Sequence, residues 1–573
     1  MKYLALLFIL CSFTAPGQQK YHAVGTPPDP KVKVSWDKYR STSEIEKILK
    51  ELQKAYPQWC KLESLGKSYE KKDLWLITIT APDKPHSEKP AFWIDGGIHA
   101  NELQGVEASL YTAWYLLEMK DSNEFINQLL KDRTFYIMPV MSPDSRDAHL
   151  SEANTTHSPR TGQIPIDDDL DGLLDEDGYD DINKDGSITM MRKKDPDGKW
   201  LEDPDRPGIM IHAKDGQKGQ YSLLGMEGID NDGDGKINED GDGSYDPNRN
   251  WAWNWQPEQY QRGAHDYPFS LPEVRAVSKA IMARRNIAGS QTYHNTGGMF
   301  LVGPGMKGDS YEQSDISVFN KLAATGEKII PGYKLKIVNK DLYSVYGGEL
   351  DWFYKMRGVF CFNNELFTPY NFFHKQTSGF MAKSSEMHDF DKFLLFKQGS
   401  VKWQEFDHPQ YGKIEIGGFS KNWMRQPPGF MIQEECHRNM AFTIYHADQM
   451  PEVKINDTQV KLLKGKLYEI TVTLTNSKLC PTHSEHDVKK KINPPNFLIL
   501  NGEKIKVLSA FTSNDSLFRW SEEQKKNPSK VKINTIGSYA SKYIRFLVEG
   551  EGDAFINFLS ERAGKENARI TIK

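Results

Sequence analysis

The stretch GGIHANELQG, residues 96–105, places a histidine and a glutamate three positions apart, immediately after the apolar run AFWID at residues 91–95. The apolar run has the length and composition of a buried strand, and the glycines indicate a tight turn after it. His99 and Glu102 would then point toward one small volume. A neutral imidazole and a carboxylate are common zinc ligands. The pattern HxxE also arises often by chance, so a metal site requires a third ligand elsewhere in the chain.

Two other segments end in residues of the same chemistry. His294 lies at the end of the predicted strand AGSQTYH, and Glu365 ends the apolar run within VFCFNNELF. An unpartnered buried carboxylate is costly, so Glu365 serves either in the chemistry or as the partner of a nearby Lys or Arg. Because sites in α/β sheets form at the carboxyl ends of strands, His99 and His294 are expected to lie at the same edge of a sheet.

Strand-like and helix-like segments alternate through most of the chain. LWLITITAP, AFWID and TFYIMPVM have strand patterns, whereas ELQGVEASLYTAWYLLEMK and SLPEVRAVSKAIMARRN have helical patterns. This alternation predicts an α/β domain over residues 36–450, built on a mixed, largely parallel sheet with flanking helices. Over residues 451–573 the segments, such as LYEITVTLTNS, are short strands between turns, which predicts a C-terminal β-sandwich.

The first residues, MKYLALLFILCSFTAPGQQ, combine Lys2 with an apolar stretch that is too short to span a bilayer, for which about 20 apolar residues are needed. This pattern predicts a secretory signal peptide over residues 1–18 and a secreted or periplasmic protein. No later stretch has the pattern of a membrane span. The four cysteines that remain are widely spaced, which favours free buried thiols over one or two disulfides. A net charge of −5 argues against nucleic acid as a partner, and the oligomeric state stays open.

Five sequence blocks occur in the order found in the M14 zinc carboxypeptidases, which the chain resembles over approximately residues 40–380. The blocks are HANE at residues 99–102, DPNRNW at 246–251, His294, YSVYGGELDW at 343–352 and FNNELF at 362–367. The resemblance implies a zinc-dependent enzyme that hydrolyses the C-terminal peptide bond of peptides or proteins.

The resemblance also implies a metal centre. In it His99, Glu102 and His294 bind Zn²⁺, Asp246 orients His99, and Glu365 is the general base. One departure follows the third ligand, where the chain reads NTGG and the pancreatic-type enzymes have a serine and a tyrosine. Contacts with the substrate on that side are therefore expected to differ.

For the substrate, the resemblance implies that Asn248 and Arg249 hold the C-terminal carboxylate, which the planar guanidinium matches with two hydrogen bonds. Tyr343 would close over the substrate. Leu350 stands where the family contacts the last side chain of the substrate, and its apolar character favours an uncharged C-terminal residue. The neighbouring Glu349 leaves a preference for a basic residue open.

Arg192, in MMRKKDP, resembles the family's arginine that polarises the scissile carbonyl. Two lysines stand directly beside it. The block falls within an insertion of residues 165–245 that interrupts the alternation of strands and helices. This insertion has too few apolar residues to form a core of its own.

The insertion contains three acidic loops with alternate oxygen-bearing side chains and a glycine at position six, the pattern with which calcium loops surround an ion. The candidate ligands are Asp167, Asp169 and Asp171 in the first loop, Asp181, Asn183 and Asp185 in the second, and Asp230, Asp232 and Asp234 in the third. The glutamate usual at position twelve is absent, so the loops resemble those of dockerins and thrombospondins rather than sensor EF-hands. We expect structural Ca²⁺, and a solvated acidic segment is the alternative.

Two other functions remain compatible with the sequence. One is the same chemistry directed at cell-wall peptides, and the other is a non-catalytic member of the fold that serves as a binding module. The presence of every expected zinc ligand and of Glu365 favours an enzyme over the binding module.

Overall fold

The computed structural model describes residues 23–168, 170–375 and 382–573. The predicted signal peptide and the candidate calcium ligand Asp169 lie outside the described residues. Within the described ranges, no helix combines the length and the apolar character needed to cross a membrane. The four cysteines of these ranges are buried and unpaired, so the expectation of free thiols is confirmed.

A mixed eight-stranded sheet organises the larger part of the chain. Its central strands pair in parallel and its outer pairings are mostly antiparallel. Ala91–Gly96 and Ile287–Asn295 are buried at every position, as expected for parallel strands that are covered on both faces. The strand order is Cys60–Lys67, Asp73–Ile79, Thr134–Met138, Ala91–Gly96, Ile287–Asn295, Phe360–Leu366, Met299–Val302 and Lys334–Ile337. The predicted fold class is thereby confirmed.

Helices cover both faces of this sheet, because successive strand residues point to opposite sides. Phe92 contributes to the core on one face and Trp93 to the core on the other. Leu103–Met119 is buried along its whole length because it packs between the sheet and Gly429–Asp448. The α-helices of the described ranges are Thr42–Ala55, Leu103–Met119, Glu124–Asp132, Pro143–Ser151, Pro272–Ala283, Gln313–Ile329, Glu349–Arg357, Tyr370–Phe373, Ser384–Phe390, Lys421–Met424, Gly429–Asp448 and Glu485–Lys490.

A second, six-stranded sheet joins the acidic insertion to a hairpin that is distant in sequence. The sequence does not predict this sheet. Its strand order is Ser400–His408, Gly412–Phe419, Met190–Lys194, Tyr221–Met226, Trp200–Asp203 and Arg206–His212. The insertion therefore does not build a core alone. Met191 from the insertion packs with Ile414 and Ile416 from the hairpin, which supply the apolar surface that the insertion lacks.

The C-terminal residues form two further sheets over one shared core, the arrangement of a β-sandwich. Strand Leu467–Asn476 shows why, since every second side chain is buried. The first sheet has the order Val453–Lys464, Leu467–Asn476, Ser541–Gly550, Ile505–Ser513 and Glu522–Glu523, and the second has the order Lys530–Ile533, Asn496–Asn501, Gly552–Ser560 and Gly564–Ile572. The prediction of short strands in this region is confirmed.

Candidate metal centre and substrate pocket

The turn after strand Ala91–Gly96 is shaped by two glycines. A Cβ on Gly96 would meet the backbone oxygen of Gly105 at 2.4 Å, and a Cβ on Gly105 would meet that of Tyr293 at 2.6 Å. The start of the following helix therefore approaches the two strand ends closely. This close approach brings the side chains between the glycines to the carboxyl edge of the sheet.

His99, Glu102 and His294 meet at that edge. His99 Nδ1 lies 2.9 Å from Glu102 Oε1, and His294 Nδ1 lies 3.0 Å from Glu102 Oε2. All three side chains are buried, and their possible ligand atoms lie within 4.8 Å of one another. His99 and Glu102 follow strand Ala91–Gly96, and His294 lies in the parallel neighbouring strand Ile287–Asn295. This pairing explains how residues nearly 200 positions apart come together.

The donor set fits Zn²⁺, for which two imidazoles and a carboxylate are common ligands. His99 Nε2 lies 2.9 Å from Asp246 Oδ1. When Nε2–H donates to this carboxylate, the lone pair of Nδ1 faces the shared volume. His294 Nε2 is buried without a hydrogen-bond partner among the residues that the structure describes. Asp246 thus lies where the sequence predicts a group that orients His99.

The charges of the cluster support one another. Burial alone would raise the pKa of Glu102, but His99 and His294 hold it well below its usual range. Burial would likewise lower the pKa of His294, and Glu102 reverses this, so that the net pKa is raised. A carboxylate that stays ionised beside two imidazoles is suited to binding a cation.

Glu365 lies next to this cluster because its strand, Phe360–Leu366, pairs in parallel with the strand of His294, and Glu365 is the register partner of His294. Burial and the neighbouring Glu102 raise its pKa. A carboxylate with a raised pKa accepts and returns protons more readily near neutral pH. Glu365 also lines the same pocket as His99 and His294.

Arg160, which the sequence reasoning missed, occupies the place expected for Arg192. Its Nη1 lies 3.2 Å from Glu102 Oε1 and its Nη2 lies 3.1 Å from His99 Nδ1. Arg160 follows Ser-Pro in an irregular segment, so neither helical nor strand periodicity indicated its position. Five arginines lie between the HANE block and the DPNRNW block, so the sequence does not single out Arg160.

The structure does not bring Arg192 to the metal cluster. This residue lies in the six-stranded sheet, where its Nε donates to Glu415 Oε2 at 2.7 Å. Its guanidinium stacks between Tyr221 and Trp403, with ring centres 4.4 and 4.1 Å away. The resemblance failed here because a buried arginine that holds two segments of a sheet together gives the same local sequence as one that faces a substrate.

The pocket beside the metal cluster contains the predicted substrate residues Asn248, Arg249, Tyr343 and Leu350. Asn248 Oδ1 accepts from the backbone N–H of Glu349 at 2.9 Å, which fixes the orientation of the amide. Tyr343 is 60% exposed and stands at the rim. The apolar wall comprises Leu301, Val338, Leu342, Val345 and Leu350.

The basic preference that Glu349 left open has no support in its surroundings. Glu349 is fully buried and is not among the lining residues of the pocket. Burial and the neighbouring Asp95 raise its pKa well above the usual range. Asp351 does line the pocket, but its carboxylate accepts from the Tyr311 hydroxyl and from the backbone N–H of Gly305.

A second unpredicted arginine, Arg425, approaches the cluster from the segment after helix Lys421–Met424. Its Nη2 lies 3.7 Å from Glu102 Oε1, and its Nε donates to Asn295 Oδ1 at 3.2 Å. Arg425 is thus a second guanidinium beside Glu102, next to that of Arg160.

The three acidic loops share one turn geometry. The first aspartate of each loop accepts a hydrogen bond from the backbone N–H of the glycine at position six, in the pairs Asp167 with Gly172, Asp181 with Gly186, and Asp230 with Gly235. These glycines have φ values of 98°, 86° and 91°, which side chains with a Cβ rarely adopt. The predicted pattern therefore corresponds to three similar turns.

The loops differ in how their carboxylates are grouped. Asp171, Asp230, Asp232 and Asp234 belong to three overlapping clusters, and Asp232 takes part in all of them. Within the described ranges, neither Asp181 nor Asp185 belongs to such a cluster of carboxylates. Glu227 instead accepts backbone N–H groups of this loop, and burial raises its pKa to about 7.

Comparison with known families gives two matches. The model described as "Zinc carboxypeptidase" matches residues 45–165 and 225–392, just over half of the chain. The unmatched gap between these stretches falls within the acidic insertion. A model described as a domain of unknown function matches residues 452–571.

Individual relatives are more distant. Carboxypeptidase B of Astacus astacus is 23% identical over 333 residues, which are 56% of this chain and 82% of that protein. Carboxypeptidase B2 of Rattus norvegicus is 32% identical over 112 residues, which are 20% of this chain, and the match spans only 26% of that protein. A crystal structure of thrombin activatable fibrinolysis inhibitor (TAFI) shares 18% identity at a TM-score of 0.46, over 73% of this chain and 76% of that one.

Proposed function

The chain belongs to the zinc carboxypeptidase family, and on this premise we propose that it is a zinc-dependent metallocarboxypeptidase that hydrolyses the C-terminal peptide bond of peptides or proteins. One observation carries the proposal. Two of the candidate zinc ligands, His99 and His294, line one pocket together with Glu365 and Arg249. A cation site, a base and a group that binds carboxylates are the three requirements of this reaction.

His99, Glu102 and His294 are the residues that would hold Zn²⁺. When bound, Zn²⁺ supplies a Lewis acid and lowers the pKa of water. Glu365 accepts the proton of the attacking water and returns it to the leaving amine. The raised pKa of Glu365 suits both transfers.

Asn248 and Arg249 confine the reaction to chain ends by binding the C-terminal carboxylate. Arg160, rather than Arg192, supplies the positive charge that stabilises the carbonyl oxygen as it becomes negative. Tyr343 at the rim closes over the bound residue. The apolar wall that includes Leu350 favours an uncharged C-terminal side chain.

Three further parts of the proposal concern the rest of the chain. The catalytic domain comprises residues 36–450 with its insertion, followed by the sandwich of residues 451–573. The signal peptide of residues 1–18 directs the protein to the periplasm or the medium. The insertion binds structural Ca²⁺, which the oxygen-rich loops and their glycine turns support.

A panel of peptide pairs tests the proposed activity. Each pair differs only in having a free or an amidated C-terminus, and mass spectrometry follows the loss of single residues by purified, zinc-loaded protein. Losing the partner of a buried charge costs about 2–5 kcal/mol, so kcat/KM should fall at least about 30-fold on amidation. Equal kcat/KM values for both forms would sink the proposal. Peptides from cell walls, run in the same panel, separate the two substrate classes.

A further inference from the structure

Two of the acidic loops belong to an internal duplication that extends beyond the calcium pattern. Residues 167–178 read DDDLDGLLDEDG and residues 230–241 read DNDGDGKINEDG, with seven identical positions of twelve. The shared positions include the tail Glu-Asp-Gly, at residues 176–178 and 239–241. The remaining loop, which begins at Asp181, lacks this tail. The tails therefore mark these two loops as a pair.

The two tails pair with each other rather than with their own loops. Asp177 N–H donates to Asp240 O at 3.1 Å, and Asp240 N–H donates to Asp177 O at 3.2 Å. The side chain of each tail aspartate also accepts a hydrogen bond from the other loop. Asn231 Nδ2 donates to Asp177 Oδ1 at 3.2 Å, and the backbone N–H of Asp168 donates to Asp240 Oδ1 at 3.3 Å. Each tail aspartate is thus held by the opposite loop.

This exchange places an acid of the first loop among the acids of the other. Asp177 is grouped with Asp230 and Asp232, and each of the three offers an oxygen within 4.8 Å of the others. Asp232 in turn is grouped with Asp171 and Glu176 of the first loop under the same distance limit. The clusters therefore span the two loops.

Several carboxylate oxygens of the tail acids are buried without the hydrogen-bond donor or counter-charge that such atoms require. Asp177 and Asp240 are both 0% exposed, and in each the Oδ2 atom accepts no hydrogen bond within the described ranges. Both carboxylate oxygens of Glu239 are also buried and accept no hydrogen bond within the described ranges. Lys236 forms an ion pair with Asp234, and Arg262 forms one with Asp168. Leaving such groups without a counter-charge is costly.

We propose that the two loops form one composite Ca²⁺ site, in which Asp177 of the first loop completes the ligand set that Asp230 and Asp232 begin. This inference rests on the proposed calcium role of the insertion and assigns its ligands. Six to eight oxygens in flexible geometry suit Ca²⁺, whereas Mg²⁺ requires a near-ideal octahedron and retains several waters. A crowded set of carboxylates from two loops meets the first requirement.

The composite site also closes the insertion at its two ends. Directly before the first loop, Thr161 Oγ1 donates to Gly243 O at 2.5 Å, and Ile164 N–H donates to the Tyr245 hydroxyl oxygen at 3.2 Å. Arg160 immediately precedes Thr161 in the chain, and Asp246 immediately follows Tyr245. An ion that joins the two loops therefore fixes the separation of residues at the metal centre.

Calorimetric titration of Ca²⁺ into chelator-treated, zinc-reloaded full-length protein tests the site, with Mg²⁺ as the competing ion. Even groups that only orient a metal ligand change metal affinity about 10–100-fold when mutated. Asp177→Asn should therefore weaken Ca²⁺ binding at least about tenfold, although it lies outside the DxDxDG pattern. Asp242→Asn is the matched control, because it removes the same charge from an exposed acid of the same segment, and it should bind Ca²⁺ as the wild type does.

Combining Asp177→Asn with Asp230→Asn should add little further loss, since both changes remove ligands of one ion. Glu176→Gln, which also lies in the first loop, replaces Asp177→Asn if the latter does not fold by circular dichroism. Ca²⁺ affinity equal to that of the control variant would overturn the composite site while leaving calcium binding intact. Absence of Ca²⁺ binding to the wild type would overturn both. Zinc content and peptidase activity are measured on the same samples and test the proposed enzymatic function separately.

Discussion

At the scale of single residues, Glu365 is the group whose removal separates binding from chemistry. Glu365→Gln keeps the shape of the side chain but cannot accept a proton. We expect bound zinc to remain and kcat to fall by about 10²–10⁴-fold, the usual contribution of proton transfer. A peptide-cleavage assay gives kcat, and metal analysis of the same sample gives the zinc content. A variant that retains zinc and near-wild-type kcat would contradict the assigned base.

Arg160 and Arg192 form a matched pair for a second prediction. Arg160→Gln removes a guanidinium that lies 3.2 Å from Glu102, so kcat should fall about 10²–10³-fold, as for the loss of one oxyanion donor. Arg192→Gln should leave kcat unchanged and lower the melting temperature, because it removes the ion pairs that the buried guanidinium makes with Glu415 and Glu202. The opposite pattern, with activity lost only in Arg192→Gln, would restore the role inferred from sequence.

At the scale of elements, the predictable part of the site is the part attached to regular strands. His99, His294 and Glu365 all follow apolar runs, and parallel strands bring their carboxyl ends to one edge. Arg160 and Arg425 lie on irregular segments, whose course depends on tertiary contacts that no periodicity records. Site residues that follow a regular strand were therefore predictable from the sequence. Site residues on irregular segments were not.

The same distinction explains which sheets were foreseen. The central sheet and the sandwich consist of strands with strong apolar patterns, such as Ala91–Gly96 and Leu467–Asn476. The six-stranded sheet combines polar strands of residues 190–226 with a hairpin at 400–419. Its core is small and shared between these distant segments. Neither segment alone buries enough apolar surface to indicate a sheet.

Helix Gly429–Asp448 carries a pH-dependent contribution to stability. Burial raises the pKa of Glu435 from 4.5 to about 7 in the folded state. The folded protein thus holds this proton more tightly than the unfolded chain does. Stability from this group is complete below pH 4.5 and is lost as the pH rises toward 7. At about 1.4 kcal/mol for each unit of pKa, the loss is up to about 3 kcal/mol.

Glu435→Gln should remove this dependence, because the amide does not ionise. We expect the variant to be more stable than the wild type at pH 8 and to lose the advantage at pH 4, as measured by urea unfolding across that range. The difference between the two proteins isolates Glu435 from other titrating groups. Parallel stability curves for the two proteins would show that Glu435 is not held protonated.

At the scale of the whole molecule, the C-terminal sandwich supports the helix that carries Leu350. Arg562 is buried and donates to Arg357 O at 2.6 Å and to Gly358 O at 3.3 Å, where helix Glu349–Arg357 ends. A cation at the carbonyl end of a helix is stabilising. Arg562 also faces the buried Asp487 at 3.6 Å. One side chain of the sandwich therefore stabilises both the helix end and a buried acid.

Arg562→Ala removes these contacts and leaves Asp487 buried without its cation. Breaking a buried pair in this way costs about 3–5 kcal/mol, so the variant should unfold at a markedly lower temperature. Arg569→Ala is the control, since Arg569 makes an exposed ion pair with Asp553, and such pairs contribute about 0–1 kcal/mol. Because the pocket helix depends on Arg562, peptide KM should rise in the first variant only, at temperatures where both remain folded. Equal melting temperatures for the two variants would mean that the sandwich is attached to the catalytic part without stabilising it.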